Sequence, residues 1–215
     1  MESLTSERNL DVDLDTEDGA SVSLQELFFH FLKEIGEQPD REGLQKTWEE
    51  RAPELWSTLT EGYDEDEKPE MTSFDSGYDG LVVKSDIPVY SICEHHLLPF
   101  SGSLHVGYLP DGKILGLSKI IRYARWKSRK LQTQERLTEE IGEGLHQEID
   151  PEGTMVVLEA NHFCEAMRGV EIENTTTLTT CELGDFSTDS ETSRDYRQDF
   201  LKKLDLEVGQ NAETD

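Results

Sequence analysis

From residue 23 onward the apolar positions recur with two different periods, and the change of period divides the chain. Leu27, Phe28, Phe31, Leu32 and Ile35 fall three and four apart, which places them on one stripe of a helix. Ser23 and Glu26 have capping-box spacing at its start, and Gly36 can close its end. Asp40 is placed to cap a second helix through Leu44 and Trp48, and Pro53 suits the first turn of a third. The stretch 61–70 is acidic and turn-like, so a boundary is expected there. Beyond it, apolar and β-branched residues predict strands at about 81–92 and 102–109, the second ending at Pro110-Asp111-Gly112. Helices are predicted at about 118–130 and 134–148, stopped by Asp150-Pro151, followed by strands at 154–160 and 175–183. A short amphipathic helix around Tyr196 to Leu204 comes last. The β-β-α-α-β-β order predicts an α+β fold with a largely antiparallel, four-stranded sheet behind an N-terminal helical segment.

Charge changes this picture at the ends and on the surface. The 215 residues hold 47 Asp and Glu against 20 Lys and Arg, a net charge of -27. Residues 1–22 carry seven acids and one Arg and read as a disordered acidic leader; 23–62 form the helical segment, 70–204 the main domain, and 205–215 an acidic tail. Such an excess has two readings, long acidic tails or the whole-surface acidity of a halophilic protein whose self-repulsion is relieved by salt; acids in nearly every segment and only 10 Lys favour the second, with the tails contributing. Such a surface disfavours nucleic acid. No apolar run reaches the length of a membrane span and the first residues lack the features of a signal peptide, so a cytoplasmic location with no membrane partner is expected. Three cysteines, Cys93, Cys164 and Cys181, then favour metal binding, catalysis or burial over disulfides.

Cys93-Glu94-His95-His96 follows one predicted strand and His162-Phe163-Cys164 another. Two strand ends can converge, and two Cys with one His would give a catalytic zinc site that keeps its fourth position for water. One of His95 and His96 is enough as a ligand, which leaves its neighbour and His162 for proton transfer near neutral pH. Taken singly, each of these residues is more often a buried small side chain or a satisfied polar group. It is the pairing of the two clusters that points to a metal. Cys181, alone within a strand, is expected in the core.

Between Gly112 and Gln134 there is no acid, yet Lys113, Lys119, Arg122, Arg125, Lys127, Arg129 and Lys130 all occur. In a chain this acidic, such an island suits a polyanionic ligand. Gly116-Leu117-Ser118-Lys119 opens a helix, whose first amides favour anions. Lys119 and Arg122 share one face and are the first candidates, Arg168 a further one. Arg125, Lys127, Arg129 and Lys130 are expected to pair with acids of neighbouring subunits.

With Cys93 to Phe100, Gly116 to Lys119, Gln132 to Thr138 and His162 to Val170 in order, the stretch from Tyr78 to Phe186 resembles the GTP cyclohydrolase I family. The resemblance implies the tunnelling fold, assembled as a homodecamer of two pentamers with active sites at subunit interfaces. It implies that Zn2+ is held by Cys93, His96 and Cys164, that His95, His162 and Ser118 are catalytic, and that Lys119, Arg122, Gln134, Glu135 and Arg168 bind GTP. The activity implied is hydrolysis of GTP to 7,8-dihydroneopterin triphosphate and formate. Glu135 suits the guanine, because one carboxylate can accept from both N1-H and the 2-amino group, whereas adenine presents an acceptor at N1. One departure is the segment Thr47-Trp48-Glu49-Glu50-Arg51, where the family usually has Thr-Pro-x-Arg. An alternative is a non-catalytic zinc- and nucleotide-binding oligomer of the same fold; the spare histidines and Ser118 favour catalysis. A tunnelling-fold enzyme for another pterin or deazaguanine, such as a nitrile reductase, would need a nucleophilic Cys.

Overall fold

The computed structural model describes residues 22–172 and 175–211, with side chains as far as Leu204. The predicted leader, apart from Val22, lies outside the described residues, as do 212–215 of the tail. The chain forms two compact units that divide after Glu61.

In the first unit, helix α1 (Leu24–Glu34) starts with the expected capping box: the Glu26 amide donates to Ser23 Oγ, and the Ser23 amide donates to the Glu26 carboxylate. Gly36 follows the helix at φ 88°, in the left-handed region that favours glycine. Helix α2 (Glu42–Lys46) is capped by Arg41 instead of Asp40, and without a side-chain bond, since a guanidinium offers the first amides no acceptor; it pairs with Glu37. A π-helical turn (Thr47–Arg51) leads into α3 (Ala52–Leu59), with Pro53 in its first turn as expected. Trp48 packs edge-on against Phe29 and donates its indole N-H to the Pro39 carbonyl.

The second unit runs through β1 (Ser73–Asp75), β2 (Val82–Cys93), β3 (Pro99–Leu109), β4 (Lys113–Leu115), α4 (Leu117–Ser128), β5 (Leu131–Gln132), α5 (Gln134–Ile149), β6 (Gly153–His162), α6 (Phe163–Ala166), β7 (Thr177–Gly184) and α7 (Glu191–Asn211). Strands β2, β3, β6 and β7 are antiparallel neighbours, which is the predicted set. A fifth strand corrects the expectation of four: Leu131 and Gln132 pair in parallel with Ile92 and Cys93, so the order is β5-β2-β3-β6-β7. Two residues are too few to show a period. A separate ribbon joins β1 to β4.

Helices α4 and α5 cover one sheet face. Ile120, Tyr123 and Trp126 from α4 and Leu137, Ile141 and Leu145 from α5 pack on Val89, Leu104, Val106, Val156 and Leu158. Helix α7 covers part of the other face, where Phe200 meets Leu81, Leu109, Met155 and Val157. It begins five residues before the predicted start, because Ser190 accepts from the Ser193 amide and caps it. At Gly142 a β-carbon would lie 2.6 Å from Cys181 Sγ, so α5 can press on β7 only with glycine there. Among the described residues no helix is long and apolar enough to cross a membrane.

Candidate metal and nucleotide site

Cys93 is the last residue of β2, and the turn after it folds back tightly. The Cys93 amide donates to the Leu98 carbonyl, the Leu97 amide donates to the Cys93 carbonyl, and Leu97 sits at φ 54°. Across β3, strand β6 ends at His162, and Cys164 follows in the single turn of α6. Register does the rest: Ile92 faces Pro99 on one side of β3, and Phe100 faces His162 on the other. The ligand atoms of Cys93, His162 and Cys164 consequently lie within 4.8 Å of one another. The Nδ1 atoms of His96 and His95 are 3.8 and 4.0 Å from Cys93 Sγ.

Two thiols and three imidazoles thus converge at the ends of two strands, with no disulfide between the cysteines. Burial raises the Cys164 thiol above its ordinary range, and the adjacent Cys93 sulfur raises it further. Thiols so placed become ligands when a cation supplies compensating charge. Soft sulfur plus imidazole, in a set of three or four, is the donor chemistry of zinc, and the residues present fit that ion.

His162 is the most constrained of the imidazoles. It stacks on Phe100 with centroids 4.7 Å apart and planes 11° from parallel, and its Nε2 lies 2.9 Å from Gln134 Oε1. Gln134 is 1% exposed. Its amide nitrogen donates to the Leu158 and Thr177 carbonyls, both at 2.9 Å, which turns its oxygen towards the imidazole. His162 therefore donates from Nε2, and in the neutral ring the lone pair is on Nδ1. Burial lowers the pKa of His162 below the ordinary value, opposed by the charges of Glu165 and Glu135. Glu135, the residue after Gln134, is exposed in the first turn of α5. The Gln134 side chain is bonded through both its nitrogen and its oxygen, and it holds His162 in place. Its signal in the sequence is a polar residue on the apolar stripe of Leu137, Thr138, Ile141 and Leu145.

Helix α4 begins after Gly116, and Ser118, Lys119 and Arg122 lie in its first two turns. Ser118 and Arg122 are exposed, Lys119 partly so, and Arg168 is exposed beyond α6. The cations Lys119, Arg122 and Arg168 form no ion pair with another described residue. In the later part of the island, Lys130 reaches Glu140 at 2.7 Å and Lys127 reaches it at 3.7 Å, so these two find an acid on α5 of their own chain. Cys181 is in the core as expected, and burial pushes its thiol up to about 11.

Residues 24–201 match the model of the family described as GTP cyclohydrolase I. The chain is 45% identical over 184 residues to "GTP cyclohydrolase 1" of Chlorobaculum tepidum, covering 85% of this chain and 80% of that protein. It is 45% identical over 169 residues to the protein of that name from Gloeobacter violaceus, covering 78% and 77%. The Leptospira biflexa protein of the same name is 43% identical over 175 residues, covering 80% and 95%.

Proposed function

The chain belongs to the GTP cyclohydrolase I family, and on that premise we propose that it hydrolyses GTP to 7,8-dihydroneopterin triphosphate and formate at the ends of β2 and β6. The observation that carries this reading is the convergence of Cys93, His162 and Cys164, with His95 and His96 beside Cys93. Cys93, His96 and Cys164 would hold zinc. Bound there, zinc supplies a Lewis acid that makes water a nucleophile near neutral pH.

The remaining roles are supported by the chemistry and exposure of each side chain. Lys119 and Arg122, on one face of α4 and free of acids in the described chain, suit the triphosphate, and Arg168 adds a third cation. Glu135, exposed one residue after Gln134, suits acceptance from guanine N1-H and the 2-amino group. His162, fixed through Nε2, takes up and releases a proton at Nδ1, which suits transfer to the nitrogen next to C8 as the imidazole ring of guanine opens. His95, with its side chain 65% exposed, can exchange protons with solvent. With Ser118 it serves the later ribose opening, rearrangement and ring closure.

A homodecamer with sites shared between subunits accords with the apolar surface beside the cluster, where Phe163, Met167, Val170 and Ile172 are 43 to 66% exposed. Incubation of purified protein with GTP, read by formate and by a fluorescent pterin after oxidation, tests the reaction. Both products should appear, and Cys164→Ala should abolish them with loss of zinc while Cys181→Ala keeps both. Zinc and GTP binding with neither product would leave a non-catalytic oligomer instead.

A further inference from the structure

We propose that Arg136 is a positioning residue for the Cys93–His96 turn, acting through Glu94 and Gln132. The inference rests on the reading of that turn as part of a zinc site. Arg136 stands in the first turns of α5, and its guanidinium makes three connections at once. Nη2 donates to Glu94 Oε2 at 2.5 Å and to the Leu131 carbonyl at 2.8 Å, while Nε donates to Gln132 Oε1 at 2.7 Å. The planar fork of arginine suits this arrangement, and lysine could not reproduce it.

Gln132 is 0% exposed, and its amide nitrogen lies within 3.3 Å of the Lys127 carbonyl and 3.2 Å of Glu140, so its oxygen is left facing Arg136. The backbone makes the same connection, since the Glu94 amide donates to the Gln132 carbonyl and Cys93 pairs with Gln132 in the β2-β5 register. Glu94 is thus held by both its main chain and its side chain, in the position between Cys93 and His95. The hydrogen bond from Arg136 also keeps the Glu94 carboxyl below its usual range.

The turn needs outside support. Leu97 takes a left-handed conformation that a non-glycine residue disfavours, so the segment by itself would spend time in other shapes. The Arg136–Glu94 pair has side chains 41% and 32% exposed, and a pair so placed adds little to global stability. Its effect is instead local: it fixes how far the histidines stand from Cys93 Sγ. Partners one shell out from a metal typically change its affinity 10- to 100-fold.

The test measures zinc affinity of the whole chain by competition with a chromophoric chelator, together with the visible spectrum of the cobalt(II)-loaded protein and Tm. Arg136→Met, Arg136→Lys and Glu94→Gln are compared with Lys68→Met, which removes a 2.8 Å ion pair to Glu148. Arg136→Met and Glu94→Gln should each weaken zinc about ten-fold or more and alter the cobalt spectrum. The double variant should be no worse than the weaker single one, Arg136→Lys should not restore affinity, and Lys68→Met should leave affinity alone. Glu94→Gln preserves size, so it decides the matter if Arg136→Met does not fold. Tight zinc binding by the wild type with unchanged affinity in Glu94→Gln would overturn the inference alone. Absence of zinc from the wild type would overturn the reading beneath it, and the inference with it.

Discussion

Arg122 is exposed and Lys119 partly so near the start of α4, and neither forms an ion pair with a described residue, whereas Lys127 and Lys130, at its end and just beyond, have side chains only 19% and 17% exposed and both reach Glu140. The sequence presents all four as one acid-free basic run. Their positions on the helix separate them. Amides at the start of α4 reinforce a positive field that an anion can use, while carbonyls at its end favour cations and draw in Glu140 only as their partner. Charge at one end therefore remains available for a ligand, and charge at the other is consumed in joining α4 to α5.

The sharpest way to break this comparison is to remove each pair of cations in turn. Lys119→Met with Arg122→Met should lower kcat/KM for GTP by about 10²- to 10⁴-fold, two charged hydrogen bonds at ~1.5–3 kcal/mol each, and leave zinc content and Tm unchanged. Lys127→Met with Lys130→Met should do the reverse, lowering Tm and changing kcat/KM only slightly. If the second pair proved the more damaging to kcat/KM, the division of the island would be wrong.

Base recognition is the next largest effect. Glu135→Gln keeps the size but turns one acceptor into a donor, and should cost ~2 kcal/mol or more, roughly thirty-fold in kcat/KM for GTP, with zinc retained. Wild-type kinetics in that variant would move guanine recognition to another residue.

Salt sharpens the contrast further. Screening of Lys119 and Arg122 should raise KM for GTP between dilute buffer and molar KCl, while relief of repulsion in a chain at -27 should raise Tm over the same range. A flat Tm would remove the halophilic reading of the acidic surface.

The smallest effect lies at Glu140. Burial would raise its pKa, but Lys130 and Lys127 together with Gln132 outweigh it and hold the carboxyl below its ordinary value. A lowered folded pKa gives stability that is present above the unfolded value, about 4.3, and is lost as pH falls through the folded one. The Tm difference between wild type and Glu140→Gln should thus be full at pH 7 and shrink under acid. A difference independent of pH would mean that packing, not charge, ties α4 to α5.

What the sequence made legible was whatever repeats or caps. The Ser23 and Glu26 box, Pro53, the Asp150 stop and the four long strands all announce themselves by period or by residue type. β5 did not, because Leu131 and Gln132 become a strand only when β2 lies beside them. The clustering of Cys93 with Cys164 was legible as two strand ends, but the geometry adds His162 to the same group and His96 at a similar distance from Cys93. Gln134 read as a ligand-binding residue because it sits in a motif; its burial and its bonds to Leu158 and Thr177 come from a strand-helix packing that no local pattern encodes. Glu140 was missed for the same reason: ion pairs across helices depend on how the helices cross.

The seating of α5 at Gly142 gives the third cysteine an experimental use. Cys181 Sγ lies against a helix backbone that leaves no room for a methyl group, and its thiol stays protonated far above neutral pH. Lifting the helix from β7 would open that sulfur to a thiol-modifying reagent, so the rate of labelling at Cys181 should rise with those excursions. In protein whose other two sulfurs are occupied by metal, a single slow labelling phase becomes a clock for how often the helix detaches, readable without any engineered probe.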